Sequence, residues 1–375
     1  MTIQTHTGYL PKTAAKTVSN LSAIFRKTLA YRSVRYGYAN SRTKAMRATL
    51  LTKKEIESLI EAKNIQEIVG LLSKTAYSHD IMEEAVSFSR ADLVELSLTK
   101  NFSRTLKKLV KIAPKSDSEK ISRVFERYDV LNIKNLLLGI HLREPKEKIK
   151  LLLIESPGFS RASLNSLAES PGVKELVEKL KNSDYYSVLA QKVSEYEKNQ
   201  EIENLVSALE SRYHKKAAEA NRVSADIGKT VKSMLDAETD AKNIMTILRG
   251  KKEGFDAKKI SGMLIEGGKL SRSELEKIGS ANFVEEAVKL QKAFDLSGAL
   301  EDYKKSPSLT HFENALEQSI SAKGLAELRR SILSLSAIVG FLFLKEKEIS
   351  DVRKIVRTKE FGFSPEEIRK IVVVT

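Results

Sequence analysis

The chain has no cysteine and no tryptophan, and aromatic residues make up only 6% of its 375 positions. The lack of thiols excludes disulfides, thiolate nucleophiles and zinc–cysteine centres, and it suits a reducing compartment. Five histidines (His6, His79, His141, His214, His311) are scattered, and none has a second ligand at metal-motif spacing, so structural or surface roles are expected. No G-x-S-x-G, H-E-x-x-H or G-x-G-x-x-G occurs. The tripeptide "GKT" at 228–230 lacks the glycine a phosphate loop needs five residues earlier, since position 223 is valine within a helical pattern. No catalytic residue, cofactor or metal site is therefore expected. The longest apolar run, "ILSLSAIVGFLFL" at 332–344, is shorter than the roughly 20 residues that span a bilayer. It predicts a fully buried helix and no membrane crossing.

Acidic residues are missing from one place. Residues 1–54 hold eleven Lys/Arg (Lys12, Lys16, Arg26, Lys27, Arg32, Arg35, Arg42, Lys44, Arg47, Lys53, Lys54) and no Asp or Glu, leaving only +4 of the net +15 for the rest. Such a block signals an anionic partner, whether nucleic acid, a lipid surface or an acidic protein; the simpler alternative is a solvated basic helix. Basic residues also interrupt every apolar run there, which excludes a secretory signal. Within "YRSVRYGYANSRTKAMR", tyrosines alternate with Arg and Lys, which fits either a stacking and phosphate-binding surface or an amphipathic helix with inward tyrosines.

What is present is a repeat. "LTKKEI" (51–56), "FSRASL" (159–164) and "LSRSEL" (270–275) each put Thr52, Ser160 or Ser271 after an apolar residue and before a helical run. Their hydroxyls can cap the first turn, and Glu55 and Glu274 complete capping boxes that Ser163 cannot. "DVLNIKNLLLG" (129–139) aligns with "DAKNIMTILRG" (240–250) at a shift of 111, and "EISDVRKIVRTKEFGF" (348–363) with "DAKNIMTILRGKKEGF" (240–255) at 108. "EIENLVSALE" (201–210) faces "HFENALEQSI" (311–320) at 110. Self-similarity at a fixed period marks a repeat architecture.

Three head helices are thus expected at 129, 240 and 348 and three capped tails at 51, 159 and 270, with short helices between them at 38–50, 146–155, 257–266 and 365–374. The register divides the chain into 1–128 (with the basic segment), 129–236 and 237–347. A C-terminal head, 348–375, is left to pack on the first unit and close a ring. Asp129/Asn132, Asp240/Asn243 and Glu348/Asp351 sit at i, i+3 on one helix face. Recurring in every unit, they are expected to fix helix junctions rather than to catalyse. Apolar spacing such as Ile202, Leu205, Val206, Leu209 and Tyr213 is helical almost throughout, so the fold class is all-α, built from bundles.

"YGYANSRTKAMRATLLT", "DAKNIMTILRGKKEGF", "LIEGGKLS" and "FLFLKEKEISDVRKIVRTKEFGFSPEEIRK" resemble the C subunit of the A/V-type ATP synthases of archaea and bacteria, a family related to the d subunit of eukaryotic V-ATPases. The resemblance covers roughly residues 30–375. It implies three similar helical domains in a pseudo-threefold funnel, seated peripherally at the cytoplasmic face of the membrane. Its implied role is a non-catalytic socket between the membrane rotor ring and the central-stalk subunits. Candidate interface residues are Tyr36, Tyr38, Arg42, Lys44 and Arg47, directed at the ring, an acidic partner or anionic headgroups, together with Arg249 and Arg357 beside the head helices. The alternative is a helical-repeat nucleic-acid binder using the basic segment. Under the socket reading, no nucleic acid is expected.

Overall fold

The computed structural model describes residues 33–220, 225–330 and 334–372, and these are helical with no strand among them. The basic positions before 33 lie outside the described residues. Helix α1 covers 33–47. It is followed by α2 (Lys53–Glu61), α3 (Ile65–Leu72), α4 (Ser78–Glu84) and the long α5 (Arg90–Ile112). The second run is α6 (Ser118–His141), α7 (Lys146–Leu151), α8 (Arg161–Ala168), α9 (Val173–Lys179), α10 (Tyr186–Asn199) and α11 (Ile202–Ala220). The third is α12 (Ala225–Lys252), α13 (Ala257–Gly262), α14 (Arg272–Gly279), α15 (Val284–Leu290), α16 (Ser297–Lys305) and α17 (Thr310–Arg330). The chain ends with α18 (Ser336–Glu360) and α19 (Pro365–Ile371).

The helices start where the sequence offers caps. The side chains of Thr52, Ser160 and Ser271 each accept a hydrogen bond from the backbone three residues on, and Glu55 and Glu274 close the capping boxes. Ser364 with Glu367 forms another box ahead of Pro365. Each such cap contributes about 1 kcal/mol.

The head helices stop in the same way three times. Arg143, Gly254 and Gly362 have φ of 56°, 74° and 76°. The N–H after each returns to a carbonyl five residues back: Glu144 to Gly139, Phe255 to Gly250 and Phe363 to Thr358. This left-handed termination favours glycine, so the first copy holds an arginine in a conformation costly for any side chain with a Cβ.

Packing follows the repeat. In the second run α6 packs on α7, α8, α9 and α11, and in the third α12 packs on α13, α14, α15 and α17. The corresponding neighbours of α18 are α19, α2, α3 and α5, drawn from both ends of the chain. Between runs, α5 meets α6, α11 meets α12 and α17 meets α18. The six long helices therefore form a closed cycle, α5–α6–α11–α12–α17–α18, with α18 returning to α5.

One expectation needs correcting. A short connecting helix was expected over 38–50, but a longer helix begins by residue 33 and ends at 47. The place that α7 takes against α8 is taken against α2 by α19. The apolar run at 332–344 is buried from Leu335 through Leu342 apart from a half-buried Ala337, as a core helix requires, although 332–333 lie outside the described residues. No helix among the described residues is long and apolar enough to cross a membrane.

The apolar core is unevenly shared. One cluster runs from Ala39 to Leu235 and takes in Leu335 to Val372, while a second joins α12 through α17, from Ala241 to Leu316. Helix α12 serves both, with Met234 and Leu235 in the first and Ile244, Ile247 and Leu248 in the second.

Candidate partner interface

The recurring polar pairs bind backbone. Asn132 exchanges two hydrogen bonds with Ile154, donating to its carbonyl at 2.7 Å and accepting from its N–H at 2.8 Å. Asn243 does the same with Ile265, at 2.8 Å for both. Asp240 accepts from the N–H groups of Lys269 (3.1 Å) and Leu270 (3.0 Å). Burial raises the Asp240 carboxyl above its usual range, and those two N–H groups oppose the shift. Asp129 accepts from the Ser156 hydroxyl, and burial pushes its carboxyl up to about 6 against that bond. These groups clamp each head helix to the segment before the next capped helix, the junction role expected from their recurrence.

At the third junction the partner comes from the other end of the chain. Glu348 accepts from the N–H of Leu51, the residue before the Thr52 cap, just as Asp240 accepts from Leu270 before the Ser271 cap. The Tyr77 hydroxyl donates to Glu348 at 2.6 Å, and Lys345 donates to Glu348 at 2.7 Å and to the Tyr77 oxygen at 2.9 Å. Glu348, Lys345 and Tyr77 are 6%, 3% and 1% exposed. Nearby, Arg353 donates to Glu95 at 2.7 Å, and Arg369 bridges Glu57 and Glu61. Asp351 stands where the other copies have asparagine. It pairs with Lys347, and burial lifts its carboxyl to about 6 in spite of that lysine.

The candidate interface residues fall into two groups. On α1, Tyr38 is 66% exposed, and Arg42, Lys44 and Arg47 face solvent. Tyr36 turns inward: it packs on the core, and its hydroxyl donates to Asp117 at 3.1 Å, beside Arg35, which donates to the same carboxylate. The basic helix is thus amphipathic, with one tyrosine used internally and one presented outward. Asn40 donates to the Ser334 carbonyl, tying α1 to the start of α18. Arg249 and Arg357 occupy equivalent positions in the last turns of α12 and α18, both exposed, and pair with Glu313 and Glu360. Along α18 the 21 steps from Ser336 to Arg357 span roughly 32 Å at 1.5 Å per residue. The structure therefore gathers Tyr38, Arg42, Lys44 and Arg47 on the exposed side of α1, turns Tyr36 inward, and sets Arg249 and Arg357 apart from them at the ends of two different helices.

A further group was not singled out from the sequence. Arg127 on α6, Glu238 on α12 and Glu346 on α18 stand two residues before Asp129, Asp240 and Glu348, and they meet. Arg127 Nη2 donates to both Glu238 oxygens at 3.1 Å and lies 3.5 Å from Glu346. The guanidinium stands 4.8 Å from the Phe343 ring centre and 5.7 Å from that of Tyr128. The group borders a cavity of about 260 Å³ shared with Glu317, Gly324 and Gly340. The repeat register was the available signal, but an arginine facing two glutamates does not register as self-similarity.

A cycle of long helices, clamped copy to copy by buried polar side chains, defines a helical-repeat protein. The profile of the ATP synthase (C/AC39) subunit family matches residues 39–371. Similar proteins include the C subunit of the A-type ATP synthase of Methanosarcina mazei, 30% identical over 91% of this chain and 94% of the relative. That of Methanocaldococcus jannaschii is 27% identical over 90% and 86%, and that of Haloferax volcanii 25% over 90% and 97%. The chain belongs to the ATP synthase (C/AC39) subunit family, and it is a non-catalytic subunit of a rotary ATP synthase.

Proposed function

We propose that this subunit is the socket of the rotor, seated on the membrane ring at its cytoplasmic face and holding the foot of the central stalk. Ion flow turns the ring, and the socket passes the torque on in synthesis or in ATP-driven pumping. The observation that carries this reading is the closed cycle of long helices, because a closed cycle keeps its shape under load where an open array would splay. Protein interiors packed to crystal-like density resist compression, which suits torque transfer. The cycle is read as a pseudo-threefold funnel of units 1–128, 129–236 and 237–347, with 348–375 completing the first.

The basic face of α1 and the arginines at the ends of α12 and α18 are read as serving different partners. The α1 face, with Tyr38, Arg42, Lys44 and Arg47, is assigned to the ring and its anionic headgroups, where each near-surface Lys or Arg contributes on the order of 1 kcal/mol. The Arg249 and Arg357 end is assigned to the stalk. The nucleic-acid reading of the basic segment finds no support among the relatives. The test is purification of the assembled complex with paired charge reversals. Arg42→Glu with Arg47→Glu should release the ring, and Arg249→Glu with Arg357→Glu should release the stalk subunits, each with an unchanged helical melt. Retention of both partners in both variants would overturn the assignment.

A further inference from the structure

Arg127, Glu238 and Glu346 occupy one position of the repeat in three copies. On the pseudo-threefold reading proposed above, equivalent positions meet only beside the axis, and this cluster is taken to lie there. One guanidinium serves two carboxylates there, in a site only about a fifth exposed. The groups facing Glu346 are Arg127 and Tyr128 on α6, Tyr213 on α11 and Glu238 on α12. Glu317 on α17 shares the cavity but is held by Lys354 at 2.7 Å, and Lys347 on α18 is held by Asp351. Among the described residues, Arg127 is the cation that pairs with Glu346.

We propose that the axial cluster binds one proton, and that this proton tightens the hold of the three head helices on one another. With Glu346 ionised, α12 and α18 face each other across the axis with like charges and a single arginine between them. With Glu346 neutral, the repulsion disappears and Arg127 is balanced by Glu238 alone. The direction of the acid's shift agrees: burial pushes Glu346 up to about 7, Arg127 opposes this and Glu238 adds to it. Because its proton affinity is higher folded than unfolded, the stabilisation is complete below the ordinary glutamate range near 4.5 and is lost as pH rises through about 7. Under the socket reading, on which this consequence rests, the stiffness of the coupling element follows pH.

The experiment is a carboxyl-carbon NMR titration of the full chain, with Glu346 assigned by its loss in Glu346→Gln. The expected result is a Glu346 midpoint between pH 6 and 8 that falls by roughly one unit in Glu238→Gln, the size of a single screened charge at this range. Hydrogen-exchange protection around 124–130, 235–241 and 343–349, corrected for intrinsic rates, should rise together from pH 8 to 6 in the wild type and stay level in Glu346→Gln. A Glu346 midpoint below 6, or one that Glu238→Gln leaves in place, would overturn the proton site. A protection change confined to α18 would overturn the coupling. Neither outcome requires ring or stalk, so failure here leaves the socket assignment standing.

Discussion

Replacing Glu348 with alanine should open the seam at which the C-terminal helices meet the N-terminal ones. The substitution strands three buried groups at once: the Leu51 N–H, the Tyr77 hydroxyl and the Lys345 ammonium, the last only 3% exposed. Removing one partner of a buried ion pair costs about 3–5 kcal/mol, because the remaining charge is uncompensated. Tyr77→Phe removes only a hydroxyl and leaves Lys345 paired with Glu348, so about 1–2 kcal/mol is expected. Replacing Lys345 and Glu348 together by leucine leaves no orphan charge and should cost much less than Glu348→Ala alone. Against a total stability of about 5–15 kcal/mol, these differences are well resolved by denaturant unfolding.

The readout that locates the effect is native-state hydrogen exchange. Glu348→Ala should lower protection in α2 and α3, nearly 300 positions away in sequence, as much as in α18. A pH test follows from the lysine. Burial lowers the Lys345 ammonium from its ordinary value near 10.5 while Glu348 opposes the shift, so without Glu348 it should fall further. A cation with depressed folded proton affinity loses stability as pH falls and regains it as pH rises toward the unfolded value. The difference between wild type and Glu348→Ala should therefore shrink from pH 7 to pH 10. If α2 and α3 keep full protection, or if Tyr77→Phe proves the more damaging, the seam does not hold the two ends together.

Asn243→Ala should cost about 2–4 kcal/mol in urea unfolding, since it leaves both the N–H and the carbonyl of Ile265 without their partner. Arg143→Gly should raise stability by about 0.5–1 kcal/mol, seen as a higher melting temperature, because the exposed arginine holds the left-handed φ that glycine fills in the other two copies. Gly268→Ala should destabilise by about 1–3 kcal/mol, because the added carbon would fall 2.1 Å from the Asp240 carboxylate and turn it from its backbone donors. Asp129→Asn should flatten stability against pH between 4 and 6: the raised carboxyl stabilises the fold below its unfolded value of 3.8, and that contribution fades as pH passes about 6.

Much of this was legible in the sequence because it rests on local rules. A serine or threonine before an apolar-periodic run caps a helix wherever it occurs, so the three capped tails could be read directly. The face Ile202, Leu205, Leu209 and Tyr213 is buried as its spacing requires, with Val206 half-buried at its edge. The head-helix acids and asparagines recur because each copy solves the same backbone problem. Residues with no local signature were harder to read. Arg127 matters through two glutamates more than 100 positions away, and its unlike chemistry hides the equivalence. Tyr36 and Tyr38, two residues apart on one helix, point to core and solvent respectively, a split that composition does not reveal. That α19, from the other end of the chain, packs on α2 as α7 does on α8 is a tertiary fact.

The closure between α18–α19 and α2–α5 has a mechanical consequence. Around the cycle each long helix packs on its two neighbours. There the peptide chain runs continuously from each long helix to its neighbour except at one splice, where the hoop is joined only by side chains and packed surfaces. That splice is the one joint of the cycle with no covalent link behind it, and Glu348, Arg353 and Arg369 help the shared apolar core to close it.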